Sequence, residues 1–208
     1  FNPPLVARIR YTLKGDRRPP RVHTYDTIVL GVGGMGSAAA YHLAARGQDV
    51  LGIERFDIPH AQGSSHGITR IIRVPLFEDS GYVPLVKRSL ELWTELEESY
   101  GRQLLYQTGT IDFGPPDSEV VRGSERSCAV HNLEHTTLTG EELTARPGGH
   151  DGPDDYRAIY QPDGGFLHSD QCIVAHVSEA HDHGATIRAR EEVTDWTADE
   201  SGVRVSTD

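Results

Sequence analysis

Apolar residues recur along the chain in two spacings, one typical of strands and one typical of helices. The short apolar runs Thr27–Leu30 and Val50–Ile53 each predict a buried strand of a parallel sheet. Between them, residues 35–46 follow a helical pattern that includes five alanines, and small side chains of this kind suit a helix packed closely on a sheet. Gly47 is expected to end this helix. The first part of the chain therefore predicts a strand–helix–strand unit.

The rest of the chain predicts a mixture of further helices and short strands. Helices are predicted over residues 82–100, 117–131, 139–146 and from 169 or 170 to about 184. Thr139 and Glu142 have the spacing of a capping box at the start of one of them. Strands are predicted over residues 104–113 with a break at 109, and over 157–160, 165–167, 185–188, 193–196 and 203–205. This mixture predicts an α/β fold.

Composition and charge exclude several classes of function. The 208 residues carry a formal net charge of −11, and a surface of this sign would repel the phosphates of nucleic acid. No apolar run approaches the roughly 20 residues that a membrane-spanning helix requires. Cys128 and Cys172 match no metal-ligand spacing, which favours a reducing compartment. We therefore expect a cytoplasmic protein with neither a nucleic-acid nor a membrane partner.

Two further stretches carry no predicted site. Residues 1–21 are basic and interrupted by prolines, and we expect them to be disordered or to be an upstream extension. His176, His181 and His183 fall in one predicted helix, but His181 is turned away from the face that the other two share, and no carboxylate completes a ligand set. No metal site is predicted.

The glycines after the first strand have the spacing of a dinucleotide-binding loop. Gly31, Gly33 and Gly36 form the pattern G-x-G-x-x-G, with Gly34 and Met35 between them. The first glycine permits a sharp turn, the second lets the backbone approach a pyrophosphate, and the third lets the helix lie close to the strand. The positive end of the following helix then binds the phosphates.

An acidic residue at the tip of the second strand strengthens this prediction. Glu54 lies 18 residues after Gly36, where its carboxylate can accept hydrogen bonds from both ribose hydroxyls of an adenosine. Arg55 follows it directly and is placed in the same cofactor site. The glycine pattern alone is weak evidence, but within a strand–helix–strand frame that ends in an acid it predicts an adenine dinucleotide.

A second informative stretch follows at residues 63–73, with the sequence GSSHGITRIIR. Arg70 and Arg73 are spaced i, i+3, so on a helical turn they would face one way. Two guanidinium groups can then bind a carboxylate or an anionic ring. The alternative is a surface loop with two solvated arginines.

The glycine loop, residues 63–73 and YVPLVKRSLELWTELEE at residues 82–98 together resemble the monomeric sarcosine oxidase and N-methyltryptophan oxidase family of flavoenzymes. The resemblance continues through QTGTIDFGP, IYQPDGGFLHSDQC and HGATI. It implies FAD as the cofactor, oxidation of a secondary or N-methyl amino acid, dioxygen as the acceptor with hydrogen peroxide as the product, and a monomer.

The resemblance also implies roles for individual residues. Glu54 matches the acid on the adenosine ribose, and Val193 matches a residue whose backbone meets the adenine. Ser64, His66, Thr69 and Arg70 match residues around the flavin ring, and Arg73 matches an arginine that binds the substrate carboxylate. The family pattern often has a second histidine before His66, where this chain has Ser65.

The implied fold is α/β, with a Rossmann-like FAD-binding domain over residues 22–75 and 150–208. Residues 76–149 would form an antiparallel part of a substrate domain inserted between them. The resemblance further implies that the chain is truncated and lacks the family's second half, with the cysteine that links the flavin and the lysine that helps dioxygen react. Two alternatives stay open: an NAD-dependent dehydrogenase and an inactive nucleotide-binding fragment.

Overall fold

The computed structural model of the chain describes residues 10–12, 23–146, 148 and 151–208, the first three by their backbone alone. The expectation for residues 1–21 lies outside the described residues except for Arg10–Thr12, which form a strand. The strands are β1 (Arg10–Thr12), β2 (Thr27–Leu30), β3 (Val50–Ile53), β4 (Arg70–Ile72), β5 (Leu105–Tyr106), β6 (Thr110–Gly114), β7 (Thr136–Thr139), β8 (Arg157–Gln161), β9 (Gly165–Leu167), β10 (Thr186–Arg188), β11 (Val193–Asp199) and β12 (Gly202–Thr207). The helices are α1 (Gly34–Ala44), α2 (Val83–Tyr100), α3 (Glu119–His131), α4 (Gly140–Thr144) and α5 (Ser169–Asp182).

The described chain divides into two compact units. Unit 1 contains the described residues up to Ile68 together with Ser169–Asp208, and unit 2 contains Thr69–His168. Unit 1 has a parallel sheet and unit 2 has antiparallel sheets, so the predicted α/β fold is confirmed. The use of one unit for FAD and the other for substrate stays a prediction.

Unit 1 is built on the parallel sheet β10–β3–β2. The central strand β3 is buried at all four positions, as expected for a strand covered on both faces. Helix α1 packs on this sheet and on α5 through small side chains, and Ala40, Ala44 and Ala180 are almost fully buried in one cluster with Val50. A second sheet of the unit has the order β1–β12–β11.

Unit 2 contains two three-stranded antiparallel sheets, β4–β9–β5 and β6–β8–β7. Helix α3 covers one face of the second sheet, where Val121 and Cys128 join a buried cluster with Ile159 of β8. Helix α4 begins at the predicted capping box, since Thr139 Oγ1 accepts a hydrogen bond from Glu142 N and the Glu142 carboxylate accepts one from Thr139 N.

The helical turn on which Arg70 and Arg73 would face one way is not formed. Arg70–Ile72 are instead strand β4, which pairs antiparallel with β9, and Arg73 follows the end of this strand. Strand β7, which carries three threonines, was not predicted.

No helix in the part of the chain that the structure describes is long and apolar enough to cross a membrane.

Candidate functional site

The glycine loop of unit 1 adopts the conformation that its sequence predicts. Gly31 has φ +86°, a left-handed conformation that favours glycine and turns the chain out of β2. A Cβ atom at Gly36 would lie 1.8 Å from the carbonyl oxygen of Gly31, so only a glycine lets α1 begin this close to the strand. The loop is therefore fixed by two glycines with separate functions.

The N-terminus of α1 is open for an anion. Its N-cap residue is Gly33, which has no side chain to accept a hydrogen bond from the first turn. The first N–H groups of a helix have no partner within the helix, so an uncapped start offers them to a phosphate. A cavity of about 510 Å³ lies against this end of the helix.

Most of the predicted cofactor residues line this one cavity. Its lining includes the glycine loop on one side and the loop of residues 59–66 on the other, and among the predicted residues it contains Gly31, Gly33, Gly34, Met35, Gly36, Ser64 and His66. Met35 is 88% exposed, so an apolar side chain borders the cavity. Ser65 also packs here, since a Cβ atom on Gly34 would lie 2.5 Å from its Oγ.

Glu54 is buried beside the glycine loop and fixes its shape. Its Oε2 accepts a hydrogen bond of 2.8 Å from Val32 N, and its Oε1 accepts one of 3.0 Å from Phe56 N. Its exposed fraction is only 5%, and it does not line the 510 Å³ cavity. Each carboxylate oxygen has two lone pairs, so Oε2 retains acceptor capacity for a ribose hydroxyl. Glu54 therefore ties the loop to the tip of β3, and its role on the adenosine ribose stays a prediction.

His60 is a neighbour of Glu54 that the sequence did not reveal. Its Nδ1 accepts a hydrogen bond of 3.0 Å from Gln62 N, so in the neutral ring the proton is on Nε2. That Nε2 lies 3.4 Å from Glu54 Oε1, and His60 also lines the cavity. Only the position of His60, shortly after the strand tip, could have indicated it.

Arg55 and Val193 lie elsewhere in unit 1. The Arg55 side chain is 60% exposed, with its Nε 3.4 Å from a carboxylate oxygen of Glu192, and it lines a separate cavity of about 470 Å³ with Arg190. Val193 begins β11 and packs in the apolar cluster that contains Leu51 and Ile53. Neither residue lines the cavity at the glycine loop.

The remaining predicted residues, Thr69, Arg70 and Arg73, belong to unit 2. Thr69 lines a cavity of about 580 Å³ together with Tyr160 and Phe166. Arg70 is exposed on β4, and its Nη1 donates a hydrogen bond of 2.7 Å to the carbonyl oxygen of Thr69.

Arg73 lies between two carboxylates. Its Nη2 donates a hydrogen bond of 2.8 Å to Glu78 Oε1, and its Nη1 lies 3.7 Å from Asp112 Oδ1. The guanidinium also lies 4.7 Å from the centre of the Phe77 ring, and the side chain is only 20% exposed. Burial acts against ionisation of Glu78, but the hydrogen bond from Arg73 and its charge lower the pKa of Glu78 below its ordinary value.

The sequence indicated neither of these two acids. Glu78 is one acid among many in a loop, whereas Asp112 interrupts the run TGTIDFGP, where a strand would be expected to carry an apolar residue. A charged residue inside a predicted strand was therefore the available signal, because charged groups are seldom buried without a partner. Arg73, Glu78 and Asp112 form an ion cluster with Arg73 at its centre.

Unit 1 has the strand–helix–strand architecture that is typical of dinucleotide-binding α/β proteins, with a glycine loop at a helix N-terminus and an acid at the tip of the next strand. The family described as FAD dependent oxidoreductase matches residues 26–208, and the chain belongs to this family. Within it, the resemblance to monomeric sarcosine oxidases and N-methyltryptophan oxidases is confirmed.

Several curated relatives carry these names. The chain is 44% identical over 184 residues to the monomeric sarcosine oxidase of Streptomyces avermitilis, an alignment that covers 88% of the chain and 48% of that protein. It is 34% identical over 183 residues to the N-methyl-L-tryptophan oxidase of Yersinia pestis, with 88% and 49% covered. The chain therefore spans about half the length of the curated relatives it matches.

Solved structures show the same fold. NikD, an amino acid oxidase essential for nikkomycin biosynthesis, is 28% identical with a TM-score of 0.76, over 88% of this chain and 49% of that one. The L-proline dehydrogenase of P. horikoshii is 26% identical with a TM-score of 0.68, over 86% and 50%.

Proposed function

We propose that the protein takes part in the FAD-dependent oxidation of a secondary or N-methyl amino acid, with dioxygen as acceptor and hydrogen peroxide as product. The observation that carries this proposal is the uncapped N-terminus of α1 beside a cavity of about 510 Å³, in a chain of the FAD dependent oxidoreductase family. The names of the relatives support the substrate class.

Unit 1 fits the cofactor. The first turn of α1 follows its N-cap Gly33 and begins with Gly34 and Met35. The N–H groups of this turn would bind the pyrophosphate of FAD. Glu54 retains acceptor capacity for the adenosine ribose while its two backbone hydrogen bonds keep the loop in place. A site formed before the ligand arrives binds it at a lower entropic cost.

Unit 2 offers Arg73 for the substrate carboxylate. A planar guanidinium can form two parallel hydrogen bonds with a carboxylate, which a lysine ammonium cannot. In this structure Glu78 occupies one side of that guanidinium, and its side chain is 51% exposed. The carboxylate of an amino acid would displace Glu78 toward solvent and replace it on Arg73.

The bound flavin would supply the redox chemistry by accepting a hydride from the carbon next to the amine. The residues of this chain orient the reactants. Arg73 fixes the carboxylate end of the substrate, and a fixed end limits the positions that the amine can adopt. His66 and Ser64, which line the nucleotide cavity, complete the proposed cofactor site.

The proposal is tested by adding FAD to the purified chain, recording the flavin absorbance, and assaying peroxide with a series of N-methyl amino acids. In the active protein, Arg73→Lys should raise KM for these substrates by about tenfold or more, the usual effect of losing a charge-assisted hydrogen bond. An N-methyl amine without a carboxylate is the control, and it should be a poor substrate for the parent and no worse for the variant.

Three results would contradict the proposal. Binding of NAD without any flavin would favour a dehydrogenase. Flavin binding without peroxide from any N-methyl amino acid would indicate a nucleotide-binding protein without this activity. If Arg73→Lys lost the same activity toward N-methyl amino acids and toward the amine without a carboxylate, Arg73 would support the fold rather than bind the substrate.

A further inference from the structure

The two acidic partners of Arg73 differ in how firmly they are held. Glu78 is 51% exposed, so it can leave the guanidinium for solvent. Asp112 is only 8% exposed, and its Oδ2 accepts a hydrogen bond of 2.7 Å from Ser124 Oγ. One partner is therefore exchangeable and the other is fixed.

Helix α3 provides the fixed side of the cluster. Ser124 has no exposed surface, so its hydroxyl is held in place by packing. Next to it, a Cβ atom on Gly123 would lie 2.3 Å from the carbonyl oxygen of Phe77, and Ser127 Oγ donates a hydrogen bond of 2.6 Å to the carbonyl oxygen of Leu76. The segment that carries Glu78 and the strand that carries Asp112 are thus both packed on this helix.

The fixed charge of Asp112 acts on any ligand that replaces Glu78 on Arg73. Any carboxylate that binds Arg73 lies close to Asp112 and is repelled by it, and Glu78 itself is subject to the same repulsion. A zwitterion also brings a positive charge, which Asp112 attracts. Acetate and an amino acid both replace Glu78 and both place a carboxylate on Arg73, so the repulsion by Asp112 is common to the two ligands. The change in the ratio of their affinities when the charge of Asp112 is removed therefore measures its attraction for the ammonium group.

We propose that Asp112 makes the Arg73 site select zwitterionic amino acids over simple carboxylates. Asp112 is a specificity-determining residue that acts through its charge, without a hydrogen bond to the ligand. This inference rests on the proposed binding of a substrate carboxylate by Arg73. If the ammonium group of the amino acid lies about 9 Å from the Asp112 carboxylate, and the effective dielectric constant is about 20 to 40, the attraction between them favours the amino acid over a simple carboxylate by about five- to twenty-fold.

The test measures acetate and sarcosine binding to the purified chain, with the Arg73 Nε–H resonance in nitrogen-15 NMR spectra as the reporter and Arg73→Lys to assign it. In Asp112→Asn, the ratio of the acetate Kd to the sarcosine Kd should fall about five- to twenty-fold. The matched control is Glu125→Gln, which removes another acid of unit 2, one whose carboxylate pairs with Arg157 at 3.3 Å. Its ratio should stay within about twofold of the parent's, because the charge of this carboxylate is offset by Arg157 and screened by solvent.

Each outcome decides between the possible explanations. A purely structural role for Asp112 would weaken both ligands by the same factor and leave the ratio unchanged, which would overturn the inference. If neither ligand moves the Arg73 resonance of the parent, the proposed carboxylate site is refuted and this inference with it. If Asp112→Asn does not fold, Asp112→Val removes the charge without introducing an amide that needs partners, and the same ratio is measured.

Discussion

Acid should destabilise unit 1 through one buried histidine of α5. His176 is 5% exposed, and its ring stacks on Tyr41 with a centroid distance of 5.8 Å. Burial, with a smaller contribution from the charge of His42, lowers the pKa of His176 from 6.5 to about 4. The neutral ring is therefore the form that the folded protein favours.

The sign and size of the pH dependence follow from the difference between the pKa of His176 in the folded protein and in the unfolded chain. Between pH 6.5 and about 4 the unfolded chain binds a proton that the folded protein does not, so the free energy of unfolding falls as the pH falls. A pKa difference of about 2.5, at about 1.4 kcal/mol for each unit, gives a loss of about 3 kcal/mol. Above pH 6.5 this contribution is fully present, and below pH 4 it changes no further.

The test is His176→Phe, which keeps a ring against Tyr41 but cannot titrate. The free energy of unfolding is measured with urea and circular dichroism at several pH values. Between pH 6.5 and about 4, that of the variant should fall by about 3 kcal/mol less than that of the parent. His183→Phe is the matched control, because His183 also contacts the Tyr41 ring but is exposed, so its profile should follow the parent. A variant at position 176 whose stability falls in parallel with the parent would refute the reasoning.

Two further predictions concern Glu54 and Cys128. Glu54→Gln should weaken FAD binding by about 1–3 kcal/mol, because a charged acceptor is lost while the size of the side chain is kept. Titration with FAD measures this loss, and an unchanged affinity would show that the ribose is bound elsewhere. Burial, with the charges of Asp112 and Glu125, raises the pKa of the Cys128 thiol to about 11, so at about pH 8 a thiol reagent should label Cys128 only as the chain unfolds. Labelling followed by mass spectrometry in buffer and in urea tests this, and equal rates in both would contradict it.

The parts of the fold that depend on local sequence were predicted well. β2 and β3 have the predicted bounds, because a four-residue apolar run between turn residues has few alternatives. The helix start at Thr139 was also predicted, since a capping box needs only two residues three positions apart.

The parts that depend on distant residues were not. β4 forms because Arg70–Ile72 pair with residues 165–167, far along the chain, and nothing local distinguishes this from a helical turn. The ion cluster was missed for the same reason, since Arg73 and Asp112 meet only when the β6 sheet and α3 are formed. A spacing of arginines indicates chemistry but does not fix which acids surround them.

The discontinuity of unit 1 has a consequence for synthesis on the ribosome. Helix α1 has its small-residue face against α5, and β3 pairs with β10, both of which come more than a hundred residues later. Unit 2 is continuous, so all of it emerges before those partners do, and domains tend to fold as units once they are complete. A nascent chain would therefore carry a folded insert while the small-residue face of helix α1 is still uncovered. That interval is when a chaperone would have an apolar surface to bind.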